Sequence, residues 1–214
     1  MTKHKISRIN FGIVWTRASS IPLASLALIY LAAYSLEVTN AGNAIGDVAS
    51  SISIFIWFTF AADLLIRLLT ASGVRSFLQL NWLEILTLSL PFIRVLRVFR
   101  SIIALRALKG FTRDRLHATG IYMAFLLPFV WYSGAVAVLD AESSNPDASI
   151  SNLKEALWWS LTTITTVGYG DKYPTTVEGQ LVAAALMLTG IALFSAAAGM
   201  FASWITRGNS TEPK

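Results

Sequence analysis

An all-α membrane protein is expected from three features of this chain. Of its 214 residues, 55% are hydrophobic and only 14% charged, with a mean hydropathy of +0.59. That is too apolar for a soluble domain. The apolar residues gather into runs, several long enough for the roughly 20 residues that a helix needs to cross a bilayer. The loops between the runs alternate between basic and acidic.

Six spans are expected. The first lies at about 16–36, after Lys3, Lys5, Arg8 and Arg17. A basic start before an apolar run resembles a signal peptide. No small-residue cleavage site follows at a convincing place, so 21–36 reads as a retained span. The second span covers about 48–70, the third is short at 78–90, and the fourth runs from 92 to 109. The fifth covers 116–139 and the sixth 177–205. Between the last two, residues 153–165 are apolar but too short to span. A short apolar helix followed by a Gly-rich loop reads as a re-entrant segment, allowed at membrane depth only where protein or a water-filled cavity covers its polar backbone. Residues 140–151, rich in Ser, Asp and Asn and including Pro146, read as an external loop, with N-caps for the short helix offered by 149–152.

The net charge of +5 does not point to nucleic acid. Arg67 and Arg75 lie between the second and third runs, Lys109, Arg113 and Arg115 after the fourth, and Arg207 and Lys214 after the last. Glu37 and Asp47, then Asp140, Glu142 and Asp147, fill the alternate loops. This positive-inside pattern places both termini in the cytoplasm of a multi-pass cell-membrane protein. A nucleic-acid surface would interleave basic and aromatic residues on one polar face. There is no Cys, hence no disulfide framework or thiolate metal site. The two His, His4 and His117, stand apart, and no hydrolase, zinc-protease or phosphate-loop motif occurs. No enzyme, metal cofactor or organic cofactor is expected.

The most specific word in the chain is Thr166-Val167-Gly168-Tyr169-Gly170, followed by Asp171. Four such loops around one axis present rings of backbone carbonyls that replace the hydration shell of K⁺. The expected K⁺ sites are Thr166, Val167, Gly168 and Tyr169. A strand whose successive carbonyls face one axis needs unusual φ/ψ values, which Gly168 and Gly170 adopt without a Cβ penalty. Taken alone, a G-x-G word is more often a turn between helices. Here it follows Trp158-Trp159-Ser160-Leu161-Thr162-Thr163-Ile164-Thr165 and precedes Tyr173-Pro174, with Gly190 inside the last span.

With these neighbours, residues 153–206 resemble the pore domain of prokaryotic potassium channels. The resemblance implies that Trp158 donates its indole N–H to Asp171 and that Trp159 bonds or packs against Tyr169. It places Tyr173 where an aromatic ring binds quaternary ammonium blockers by cation–π contact, and Gly190 at an inner-helix gating hinge. Two adjacent Trp are otherwise common as an interfacial belt, and Gly in a membrane helix is commonly a packing site. Some members carry Glu at the position of Thr162, so a carboxyl–carboxylate pair with Asp171 is not expected here. Lys172 and Glu178 are expected to offset one another at the outer mouth.

The fourth span carries Arg94, Arg97, Arg100, Arg106 and Lys109 at three-residue spacing, with Ile103 in the skipped place. Charges inside a span are costly and usually functional. A basic surface helix would also fit the pattern. Partner carboxylates argue against it: the second span offers Phe60-x-x-Asp63-x-x-x-Arg67 and the third offers Glu84. Residues 16–109 thereby resemble the voltage-sensor domain, in which an aromatic and two acids pass fourth-span cations across a thin barrier. Phe60, Asp63 and Glu84 match those roles. Only Phe92 and Ile93 separate Pro91 from Arg94, so the loop between third and fourth spans is nearly missing.

The whole resembles a six-transmembrane voltage-gated-type potassium channel of the tetrameric cation-channel superfamily. It divides into a cytoplasmic N-terminus (1–15), a four-helix sensor-like domain (16–109), a linker (110–117), a pore domain (118–206) with two helices and a re-entrant pore helix and filter, and a cytoplasmic tail (207–214). The partners implied are three further copies of the chain, membrane lipid, K⁺, and quaternary ammonium or toxin blockers. Voltage control by the fourth-span cations is the first expectation. A constitutively open leak channel over a static sensor-like scaffold is the second. A transporter would show inverted-repeat symmetry between halves, which is not apparent.

Overall fold

The computed structural model describes residues 3–71, 73–82, 85 and 115–208. Among these residues all regular structure is helical: α1 (Lys3–Thr39), α2 (Ala44–Thr70), α3 (Val74–Leu80), α4 (Arg115–Glu142), α5 (Leu153–Ile164) and α6 (Val177–Gly208). The chain divides into two compact units, Met1–Leu108 and Lys109–Lys214.

In the first unit α1 and α2 form an antiparallel hairpin. The buried positions of α2 are Gly46, Ala49, Ser53, Ile56, Phe60 and Asp63. Their alternating spacing of three and four keeps one stripe of the helix facing its neighbour. The matching stripe of α1 includes Leu23, Ala27, Tyr30, Leu31 and Tyr34, with the Tyr30 and Tyr34 rings stacked at 6.0 Å. Phe60 and Asp63 therefore sit one turn apart on the α1-facing side. Of the expected third span at 78–90, only 78–82 and Ile85 are described, and 78–80 are the last residues of α3. Glu84, all of 86–90 and the whole fourth span, with Arg94, Arg97, Arg100, Arg106 and Lys109, lie outside the described residues.

In the second unit α4, α5 and α6 pack together. Residues 133–142 of α4 are buried throughout, and α6 buries Val182, Ala183, Leu186, Gly190 and Leu193 on one stripe. Trp131 of α4 donates its indole N–H to the Leu157 carbonyl of α5 at 2.9 Å. Three stretches among the described residues are long and apolar enough to cross a membrane: Ala44–Thr70, Ala124–Glu142 and Val177–Thr206. A shorter apolar stretch, Ser25–Thr39, lies in α1.

One boundary differs from expectation. Asp140 and Glu142, read as loop acids, belong to α4 and are buried. The helix continues because Glu142 finds its hydrogen-bond donors on the chain that precedes α6.

Candidate functional site

The site is built from the start of α5. Asn152 caps the helix by accepting the Glu155 N–H at 3.0 Å, while the Glu155 carboxylate reaches back to the Ser151 N–H at 2.9 Å. This reciprocal arrangement satisfies donors that a helix start leaves without partners. At the other end, the last carbonyls of α5 receive the chain that follows. Thr163 O accepts the Thr166 N–H at 3.0 Å, and Thr162 O accepts the N–H groups of Val167 and Gly168 at 2.9 and 3.1 Å.

That pattern sets the direction of the carbonyls. In a trans peptide the N–H and the preceding C=O point opposite ways, and no peptide bond in the described chain is cis. With the amides of 166–168 turned toward α5, the carbonyls of Thr165, Thr166 and Val167 face away from it. The backbone also alternates in hand: φ is +61° at Thr166, +57° at Gly168 and +77° at Gly170, and not positive at Val167 or Tyr169. Reversing hand at every second residue turns carbonyls that would alternate in a strand toward a common side. Glycine meets this geometry freely. For the β-branched Thr166 it is strained, at a cost of roughly 1–3 kcal/mol. Residues 166–171 are all exposed.

A single indole braces the outer end of the loop. Trp158 donates Nε1–H to Asp171 Oδ2 at 2.7 Å, and its ring stacks on Tyr169 at 5.6 Å with 5° between planes. Within the chain it is Trp158, and not Trp159, that meets Tyr169. Neighbouring side chains on a helix point about 100° apart, so only one of the pair faces residues 169–171. Trp159 is buried in the unit, where its carbonyl accepts the Thr162 hydroxyl at 3.0 Å.

Two anchors were not read from the sequence. Lys172 binds Glu155 Oε1 at 2.8 Å and the Ser149 carbonyl at 2.8 Å, so its partner is Glu155 and not Glu178. The Lys172 ammonium and then the Ser151 amide hold the Glu155 carboxyl down at about 2. The second anchor is Glu142. Its fully buried carboxylate accepts the N–H of Thr175 at 2.9 Å, the N–H of Thr176 at 2.8 Å, the Thr176 hydroxyl at 2.7 Å and the Thr175 hydroxyl. An acid ending an apolar run, followed 33 residues later by a Thr pair at a helix start, was the available signal. Tyr173 is exposed beyond these anchors.

Gly190 of α6 lies against the end of α5. A Cβ there would stand 2.7 Å from Ile164 O and 3.2 Å from Ile164 Cα. The two helices meet backbone to backbone directly under the loop.

In the first unit Phe60 and Asp63 are buried on α2. Asp63 Oδ1 accepts the Trp15 indole N–H at 2.9 Å and Oδ2 accepts Arg67 Nε–H at 2.7 Å. Glu84 and the five expected gating cations lie outside the described residues.

Residues 118–207 match the protein family described as ion channel. The chain is similar to a voltage-gated potassium channel of Aeropyrum pernix, 34% identical over 101 residues, covering 47% of this chain and 34% of the relative. It is 41% identical over 68 residues to the human potassium voltage-gated channel subfamily KQT member 3, covering 32% of this chain and 8% of that protein. It is 37% identical over 86 residues to KQT member 1 of Xenopus laevis, covering 40% of this chain and 13% of that protein. The chain thus spans about a third or less of the curated relatives it matches. The family and these relatives are ion channels, not enzymes.

Proposed function

We propose that this chain, which matches an ion-channel family over 118–207 and is similar over part of its length to voltage-gated potassium channels, is one subunit of a homotetrameric K⁺-selective channel. The observation that carries the reading is the loop after α5, whose carbonyls turn away from the helix that holds them. One copy leaves those oxygens exposed. Four around an axis would ring a dehydrated K⁺ at Thr166, Val167, Gly168 and Tyr169, with Gly170 completing the filter. Trp158, Trp159 and Asp171 would hold the filter at its width. The C-terminal end of α5, aimed at the pore as a re-entrant helix, would favour a cation by its dipole. Exposed Tyr173 offers the ring for a quaternary ammonium blocker. Both termini lie in the cytoplasm in this arrangement.

Voltage control would run through Arg94, Arg97, Arg100, Arg106 and Lys109, handed past Phe60, Asp63 and Glu84 and coupled to the pore by 110–117. Each elementary charge crossing the field contributes about 2.3 kcal/mol per 100 mV. Gly190 would serve as the hinge, and because it touches Ile164, bending there would be felt at the filter's inner end. The second reading, a leak channel over a static scaffold, is favoured by one observation: Asp63 already holds Arg67 on its own helix.

The test is a planar-bilayer recording of the reconstituted protein in asymmetric K⁺ and Na⁺ under a voltage ramp. A reversal potential following K⁺ is expected. Equal passage of Na⁺ would refute selectivity, and a conductance that ignores voltage would favour the leak.

A further inference from the structure

The Asp63 carboxylate is buried in a helix face that lies inside an apolar span. A lone charge in such a place is strongly disfavoured, and hydrogen-bonded partners offset the cost. One partner is local: Arg67 lies four residues along the same helix. The other is not. Trp15 stands 48 residues away in sequence, on α1, and reaches the other carboxylate oxygen with its indole N–H.

We infer that Trp15 is a positioning residue for cation transfer at Asp63: with Arg67 it fixes the orientation of the carboxylate and sets how strongly that acid holds a passing cation. The inference rests on the reading of Asp63 as a transfer site. An ionised carboxylate has about four lone-pair sites. Trp15 and Arg67 occupy one on each oxygen, which leaves acceptor capacity for a third, transient donor. The two residues differ in what they do to that donor. Arg67 neutralises the acid. The indole carries no charge, so it orients the carboxylate while leaving its pull on a cation in place. Its hydrogen bond also ties the acid to α1, one turn from Phe60.

The experiment records conductance–voltage curves of the 214-residue protein in planar bilayers for wild type, Trp15→Phe, Asp63→Asn and the double variant. Hydrogen bonds to charged groups are worth enough for removal of the indole donor to change the open–closed equilibrium at fixed voltage about tenfold. Single-channel K⁺ conductance should not change. In the Asp63→Asn background Trp15→Phe should add little, since both act through one carboxylate. Trp15→His, recorded at a pH high enough to keep the imidazole neutral, places Nε2 at the ring position of the indole nitrogen and should keep the wild-type midpoint. An unshifted Trp15→Phe curve overturns the inference. So does a shift of the same size with Asn at 63, or a Trp15→His curve displaced as far as that of Trp15→Phe. A wild-type curve flat with voltage refutes voltage gating and this inference together, whereas a steep wild-type curve with an unshifted variant refutes the inference alone.

Discussion

Gly190 meets the backbone of Ile164 at a distance that admits no side chain. Gly190→Ala must therefore push α6 off the end of α5. Overpacking of this kind costs about 1–3 kcal/mol, and a lowered melting temperature of the purified channel in detergent is expected. A purely flexible role would leave the melting temperature alone and move only gating. Glu155 supplies a second prediction. Its carboxyl is lowered on folding from 4.5 to about 2, by Lys172 first. A group lowered in this way stabilises the fold above its unfolded value and loses that contribution as pH falls through the folded one. The melting-temperature gap between wild type and Glu155→Gln should be constant above pH 4.5 and close towards pH 2. The gap itself should be small, because the pair is open to solvent.

At the scale of elements, the loop between α5 and α6 is held at its start by the end of α5 and, from Lys172 onward, by neighbours distant in sequence. Glu142, the last residue of α4, gathers two amides and two hydroxyls from Thr175 and Thr176. Glu142→Ala would strand those donors in a buried place and should destabilise by about 3 kcal/mol or more. Glu142→Gln keeps part of the acceptor set and should cost less. Thermal melts of both variants beside wild type check the order, and a Glu142→Ala protein as stable as wild type would show that the anchor is idle. The helices themselves were readable from pattern: the α5 cap at Asn152 and the apolar runs of α2, α4 and α6 follow local rules. The partners of Lys172 and Glu142 were not, because they lie 17 and 33 residues away and no local rule selects between Glu155 and Glu178.

At the scale of the whole molecule, the proposed function needs three further copies to complete the K⁺ site. If K⁺ binds only in the assembled ring, mass action stabilises the assembly: ligand at 100 times its Kd contributes about 2.7 kcal/mol. The tetramer should dissociate at higher temperature in K⁺ than in Na⁺ at equal ionic strength, read by size-exclusion chromatography after heating. Identical dissociation in the two salts would count against a K⁺ site made by assembly.

What belongs to the sequence alone is what depends on neighbouring residues: apolar runs of spanning length, a Gly at two of the three alternate positions where the backbone turns over, and an Asn at the start of a short helix. The word Thr166-Val167-Gly168-Tyr169-Gly170 could be read as a stretch of unusual backbone because backbone geometry is a local property. Side-chain partners across the fold are another matter. Trp158 rather than Trp159 lies on Tyr169, Glu155 rather than Glu178 takes Lys172, and Trp15 finds Asp63. Each of these choices follows from how helices are rotated and stacked against one another, which packing of the whole chain sets and no short stretch of residues encodes.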